Sequence, residues 1–160
     1  MNSTIKKRIY QAQCIGNVEP IEYMIPYPST RSLIEGQNIK FAEQVIFENP
    51  KITNLKFYEL IQKTAHWLDS LGLKHKERII ISELDFPQTE ILLFGIWHLG
   101  AIAIISAKES IKSVKTICES DLAIESGIDL FDVIKNFPTH FEPKYKPLLD
   151  DEALITFEKG

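Results

Sequence analysis

Two short apolar runs, residues 79–81 and 101–105, do most to limit the folds open to this chain. Both runs are continuous rather than alternating, which is typical of strands covered on both faces. Between them, Asp85 is a candidate helix cap, Pro87 suits a first helical turn, and an apolar segment runs on to Gly100. A buried strand, a helix and a second buried strand predict parallel strands joined by a right-handed crossover.

The alternation of strands and helices extends from about residue 44 to the end of the sequence. The predicted strands are residues 44–48, 79–81, 101–105, 122–124 and 153–157, and the predicted helices include residues 57–71 and 128–135. This order predicts an α/β fold, a mostly parallel sheet with helices on both faces. Residues 1–29, which contain three prolines and no sustained period, are expected to be an irregular N-terminal arm, and residues 30–160 a single α/β domain.

Several residues suit the ends of the predicted helices. Thr30 is a candidate cap for a short helix to about Gly36, with Leu33 and Ile34 facing inward. Asn54 is a candidate cap for the helix at 57–71, and Gly72 suits its left-handed exit. Ser106 and Glu109 have the spacing of a capping box at the start of the helix after strand 101–105.

Composition excludes several classes of protein. A net charge of −4 argues against a nucleic-acid surface, and the basic run at residues 6–8 is too short to change that. No signal peptide is expected, and the most apolar stretch, residues 91–107, is expected to be too short and too interrupted to span a membrane. Cys14 and Cys118 stand far apart and outside any paired motif, which favours a reducing cytoplasm.

No catalytic, cofactor-binding or metal-binding residue is assigned from the sequence. The glycine-rich phosphate loops, the nucleophile motifs and the paired cysteine motifs are all absent. Of the four histidines, His66 and His75 are expected to be solvated and His98 to interact with the last carbonyls of its own helix, and no role is assigned to His140. Glu83 and Asp85 are interpreted as caps or solubilising residues, and Glu90 as a carboxylate favoured in a first helical turn.

Ligands of parallel sheets gather at the carboxyl ends of the strands. In this chain those ends are expected near Ser82 and Glu83, near Ser106, near Glu125 and Ser126, and at residues 157–160.

The order of short motifs between Asn54 and Ala101 carries a family resemblance. A helix begins at Lys-Phe-Tyr-Glu-Leu (56–60), passes through a Gly72 exit into the strand at 79–81, and is followed by the helix ending at residues 97–101. This arrangement, with residues 150–160, resembles the N-terminal subdomain of the adenylate-forming enzymes, the acyl-CoA synthetases and AMP-dependent ligases, over about residues 30–160. The last strand resembles the one that leads into that family's phosphate-binding loop, although Glu158 and Lys159 replace its small hydroxyl residues.

The resemblance implies a part of an ATP-dependent ligase. Such enzymes activate a carboxylic acid as an acyl-adenylate and pass it to coenzyme A or a carrier thiol, as in fatty acid metabolism. The resemblance implies ATP, Mg²⁺ and CoA for a complete enzyme and none for this chain alone, because the phosphate loop and the catalytic lysine of the family lie downstream. The expected partner is the remainder of the ligase, or a second copy bound through exposed apolar surface, with no nucleic acid.

Two other interpretations stay open at this point. The chain is alternatively a stand-alone, non-catalytic binding or regulatory module that keeps the same scaffold. A third interpretation is an unrelated doubly wound domain of the flavodoxin or receiver type, since such folds serve many functions.

Overall fold

A computed structural model describes residues 29–107, 110–118, 122–145, 147 and 151–157. The expected N-terminal arm up to residue 28, Glu109 of the expected capping box and residues 158–160 lie outside the described residues. Cys14 lies outside them as well.

Five helices and six strands follow one another in the described residues. The helices are α1 (Thr30–Phe41), α2 (Asn54–Ser70), α3 (Gln88–Leu99), α4 (Ile111–Cys118) and α5 (Leu130–Ile134). The strands are β1 (Val45–Glu48), β2 (Lys51–Thr53), β3 (Arg78–Ile81), β4 (Ile102–Ile105), β5 (Ala123–Ile124) and β6 (Leu154–Ile155).

The main sheet has four strands in the order β5-β3-β4-β6, and every neighbouring pair is parallel. Strands β3 and β4 pair without interruption, from Arg78 opposite Ile102 to Ile81 opposite Ile105. The prediction of adjacent parallel strands at these two apolar runs is therefore confirmed.

The sheet is covered by helices on both faces, as predicted. Ile79 and Ile81 belong to the larger hydrophobic core, together with the inward side chains of α2 and α3. Ile80 and Ile104 point to the other face, where they form a smaller core with Ile111 and Val114 of α4. Successive side chains of a strand point to opposite faces, so an uninterrupted Ile-Ile-Ile run serves both cores at once.

Helix α2 fills the space over the larger core. Its buried apolar residues recur at helical spacing and are Phe57, Leu60, Ile61, Ala65 and Leu68. The predicted Asn54 cap is wrong: the hydroxyl of Thr53 accepts the Lys56 N–H, while the Asn54 amide donates to the Phe41 carbonyl. The helix begins three residues earlier than predicted because Thr53 can cap it from the end of a strand.

A β-hairpin precedes α2, and only its first strand was predicted. Strand β1 pairs antiparallel with β2 around the Asn49-Pro50 turn. The alternation of strand and helix therefore begins only after β2. Strand β2 was not predicted because three residues next to a helix cap show too little pattern to be recognised. Phe47 anchors the hairpin by an edge-to-face contact with Phe57, with 5.5 Å between ring centroids.

Helix α1 differs from the prediction in its length and orientation. Its cap is Ser29, which accepts the Ser32 N–H, rather than Thr30, and the helix continues past Gly36 to Phe41. Leu33 is exposed rather than inward-facing, whereas Ile34 packs against the larger core. One partly buried apolar residue is too little for the sequence to indicate which side of the helix faces the core.

A further predicted cap is wrong. Asp85 makes no side-chain cap to α3, which has Pro87 at the cap position, and the Thr89 hydroxyl instead bonds the Leu84 backbone. The Ser106 hydroxyl donates to the Ala107 carbonyl. Its capping box with Glu109 stays a prediction, because Glu109 lies outside the described residues.

Glycines end α2 and α3 in the same way. Gly72, as predicted, takes a positive φ of 93°, and the Leu73 N–H donates to the Leu68 carbonyl. Gly100 has φ 73°, and the Ala101 N–H donates to the Ile96 carbonyl. The two sites differ in their surroundings, because a Cβ at Gly72 meets open space whereas one at Gly100 collides with the His75 ring.

The two glycines provide a matched pair of variants. We expect Gly72→Ala to lower the free energy of unfolding by about 1–2 kcal/mol, the cost of a left-handed alanine. Gly100→Ala should lower it by at least about 1 kcal/mol more, because the added methyl also displaces the His75 ring. Urea unfolding of both variants measures the difference, and equal losses would contradict the packing at Gly100.

Candidate functional site

The carboxyl ends of the central strands form the edge at which the sequence predicts ligand contacts. The Ser82 N–H donates to the Ile124 carbonyl at 2.9 Å, and the Ser106 N–H donates to the Ile81 carbonyl at 3.0 Å. The ends of β3, β4 and β5 are thus brought side by side, as predicted.

Two buried serines lie at this edge. Because Ile81 pairs with Ile105, Ser82 and Ser106 follow on neighbouring strands. Ser82 is only 2% exposed, and its hydroxyl has no hydrogen-bond partner among the described residues. A buried hydroxyl without a partner is unfavourable, so this position is one that stability alone does not explain.

A cavity of about 290 Å³ opens beside the ends of β3 and β5. Its lining residues are Glu83, Leu84, Asp85, Gln88, Ser126, Gly127, Ile128 and Asp129. Three of them are carboxylates and none is basic, so this cavity repels a phosphate and favours positively charged or hydrogen-bond-donating groups. Glu83 and Asp85 are exposed, as expected of solubilising residues, and they also line this cavity.

The side of the cavity formed by residues 126–129, between β5 and α5, was not predicted from the sequence. The Gln88 side-chain carbonyl accepts the Leu130 N–H at 2.5 Å and so connects the start of α3 to the start of α5. Asp129 caps α5 by accepting the Phe131 N–H at 3.0 Å. Gln88 and Leu130 are 42 residues apart in the sequence and meet only through tertiary structure, although the positive φ of Gly127 is a local sign of a turn there.

Glu90 lies in the first turn of α3, where the sequence analysis places it. Its Oε2 atom is buried without a hydrogen-bond partner among the described residues. The helix dipole favours a carboxylate at this end of α3.

The histidines differ from the expectations. His66 is half-buried, with Nε2 2.6 Å from the His140 carbonyl, and His75 is half-buried and stacks on Tyr145. His98 is 3% exposed, and its Nε2 lies 3.4 Å from the Phe141 carbonyl rather than near carbonyls of its own helix. All three histidine side chains contact residues 140–145. This loop has no periodic sequence pattern, so its contacts with the histidines were not predicted.

Metal-binding clusters and membrane-spanning helices are both absent from the part of the chain that the structure describes. There, no group of three or more His, Cys, Asp or Glu side chains is placed to hold a metal ion. None of its helices combines the length and the apolar character needed to cross a membrane.

Comparison with known proteins identifies the fold. No protein-family model and no curated protein sequence matches this chain. Solved structures do: the anthranilate CoA ligase AuaEII, in complex with anthranoyl-AMP, superposes with a TM-score of 0.73 at 16% identity. The match covers 86% of this chain and 32% of the ligase chain.

A second group of solved structures comes from Klebsiella oxytoca. The N-terminal subdomain of NpsA has a TM-score of 0.68 at 20% identity, covering 84% of this chain and 39% of that one. The artificially fused adenylation-PCP di-domain NpsA-ThdA has a TM-score of 0.64 at 18% identity, covering 80% and 28%. This chain thus spans less than two-fifths of each of these three solved chains, and it has the fold of the N-terminal subdomain of the adenylate-forming enzymes.

Proposed function

We propose that this chain is the N-terminal portion of an ATP-dependent acyl-activating ligase, which forms an acyl-adenylate and passes the acyl group to CoA or a carrier thiol. The observation that carries the proposal is the superposition of 86% of the chain on AuaEII, an anthranilate CoA ligase. The solved NpsA subdomain extends the same fold to proteins that bind acyl-adenylate analogues, as its complex with anthranilyl-AMSN shows for that protein.

The charges at the carboxyl edge support a ligase in which this chain supplies the sheet and other residues bind ATP. The cavity between β3 and β5 presents Glu83, Asp85 and Asp129, and its lining contains no lysine or arginine. A triphosphate needs cations or backbone N–H groups around it, so this edge is unsuited to binding ATP by itself. Residues outside this chain would hold ATP, Mg²⁺ and CoA, and this portion would supply the sheet on which they are assembled.

The organisation of the chain follows from the same proposal. Residues 30–160 would form a single α/β unit preceded by an irregular arm, and the partner would be the remainder of the ligase. A cytoplasmic location belongs to the proposal and is supported by the two isolated cysteines. Fatty acids are among the proposed substrates, and the ligands of AuaEII and NpsA favour aromatic acids.

An ATP–pyrophosphate exchange assay tests whether the chain acts alone. With a panel of aromatic and aliphatic acids we expect no exchange above background, because the groups that grip the phosphates are not part of it. AuaEII with anthranilate is the positive control. Exchange by this chain with any acid of the panel would contradict the proposed inactivity.

A longer polypeptide tests the proposal in the opposite direction. Reading the gene beyond the codon for Gly160 should reveal a Thr/Gly/Lys-rich stretch, and the extended protein should catalyse exchange with at least one acid. A stop codon at that point, with no companion gene for the remainder, would favour the stand-alone module instead.

The two buried serines predict a difference in stability. Ser82→Ala should leave the free energy of unfolding unchanged or raise it by up to about 1 kcal/mol, because it removes a hydroxyl without a partner. Ser106→Ala is the control and should lower it by about 1 kcal/mol, since its hydroxyl donates to the Ala107 carbonyl at 3.0 Å. A larger loss for Ser82→Ala than for Ser106→Ala would show that Ser82 has a partner within the chain.

A further inference from the structure

One tripeptide, residues 140–142, lies across three helices and is held by side chains from each of them. We call it the clasp segment. Helix α2 contributes Gln62 and His66, α3 contributes His98, and α1 contributes Arg31.

Phe141 is the fixed point of the clasp segment. Its N–H donates to the Gln62 side-chain carbonyl at 2.7 Å, and both groups are buried. Its ring is 9% exposed, belongs to the larger core and meets the His66 ring edge to face, with 4.8 Å between centroids. Its carbonyl can only accept, so Nε2 of His98, 3.4 Å away, carries the proton in that contact.

Helix α1 is attached to the clasp segment by charge. The Arg31 guanidinium bonds both carboxylate oxygens of Glu142, at 3.2 and 2.8 Å, and its Nε donates to Glu35 at 2.7 Å. The Tyr58 hydroxyl of α2 donates to the same Glu35 at 3.3 Å. These bonds to Glu142 and Glu35 raise the pKa of Arg31, which stays charged at any relevant pH.

Apolar burial contributes little to the attachment of α1. All twelve residues of this helix are described and none is buried, and only Ile34 packs against the larger core. Leu33, Ile39 and Phe41 are exposed. The polar contacts that hold α1 include the Arg31–Glu142 ion pair, the Tyr58 bond to Glu35 and the Asn54 bond to the Phe41 carbonyl. The ion pair is partly exposed, and such pairs contribute only weakly to stability.

Within this network, His98 is the histidine whose protonated form is disfavoured. Burial lowers the pKa of His98, the nearby Arg31 charge lowers it further, and the Phe141 carbonyl, Glu35 and Glu142 oppose the shift without cancelling it. A protonated His98 would be a buried cation and would be repelled by the Arg31 charge. The neutral imidazole is consequently the favoured form while Arg31 is bonded to the clasp segment.

The other elements around α3 do not supply a competing charge. Strand β4 has no titratable residue, and the one acid of α5, Asp132, is exposed and paired with Lys135. From α2, Tyr58 is bonded to Glu35 and His66 contacts Phe141. The remaining charged residues of α2 are engaged away from His98, namely Lys56 with Glu59, Lys63 with the Lys135 carbonyl, and Asp69 with Lys74.

We propose that the clasp segment, Arg31 and His98 form an acid-released clasp, which holds α1 on α2 and α3 at neutral pH and lets it detach on acidification while the parallel sheet stays folded. The sign follows from linkage. When α1 leaves, the Arg31 guanidinium leaves Glu142, the residue next to the Phe141 carbonyl that contacts His98, so its repulsion of a proton on His98 is removed and that state binds a proton more readily. The closed state is fully favoured above the ordinary histidine pKa and loses its advantage as pH falls below it. The proposal does not depend on the proposed function.

Hydrogen exchange followed by mass spectrometry on the whole chain tests the clasp. Between about pH 7.5 and about pH 5.5, on either side of the ordinary histidine pKa, protection in α1 should fall about fivefold or more after correction for intrinsic exchange. Protection in α2 and in β3 should not change. Unchanged protection of α1, or equal loss in α1 and β3, would overturn the proposal.

Three variants assign the effect to its residues. His98→Gln should keep α1 protected at both pH values, whereas the control His75→Gln, which changes a histidine outside the clasp segment, should retain the wild-type pH dependence. Arg31→Gln keeps the buried core intact and should leave α1 unprotected already at neutral pH, which tests the clasp even if His98→Gln does not fold. Full protection of α1 in Arg31→Gln, or the same pH dependence in His98→Gln as in wild type, would overturn the proposal.

Discussion

The pairing of β3 with β4 is the contact on which the rest of the structure depends. Four consecutive residue pairs, from Arg78 with Ile102 to Ile81 with Ile105, align two strands that are apolar on both faces. Each strand thereby supplies side chains to the larger core under α2 and α3 and to the smaller core under α4. A slip of one residue would exchange the two sets of side chains, so burial on both faces specifies the register strongly.

This register also creates the polar edge. When the apolar residues of β3 and β4 are in register, Ser82 and Ser106 emerge together, and the loops after β3 and β5 converge around the acidic cavity. The edge is rich in hydrogen-bonding groups and poor in positive charge. That combination fits a scaffold on which phosphate-binding groups from elsewhere are assembled, and it gives the proposed role of the chain a physical basis in its own residues.

The periphery is held by different forces from the centre. The sheet and helices α2 and α3 are joined by apolar burial, which varies little with pH, whereas α1 is joined mainly through Arg31, Glu142 and Glu35. Stability is rarely uniform across a structure. A change of pH or salt therefore detaches an element held by charge before one held by apolar burial. The acid-released clasp places that element next to the single histidine whose buried environment disfavours a proton.

The sequence alone determined the strands and helices whose patterns are local and repeated. The two continuous apolar runs, the helical spacing in α2 and the Gly72 exit predicted the parallel sheet, its two covered faces and the resemblance to the adenylate-forming fold. Only the tertiary structure decided the β1–β2 hairpin, the cap at Thr53, the far wall of the cavity and the inward positions of His66, His75 and His98. The physical reason is range: periodicity and caps act within a few residues, whereas these features arise from contacts between distant segments, and a loop such as residues 140–142 takes its path from the surfaces it meets.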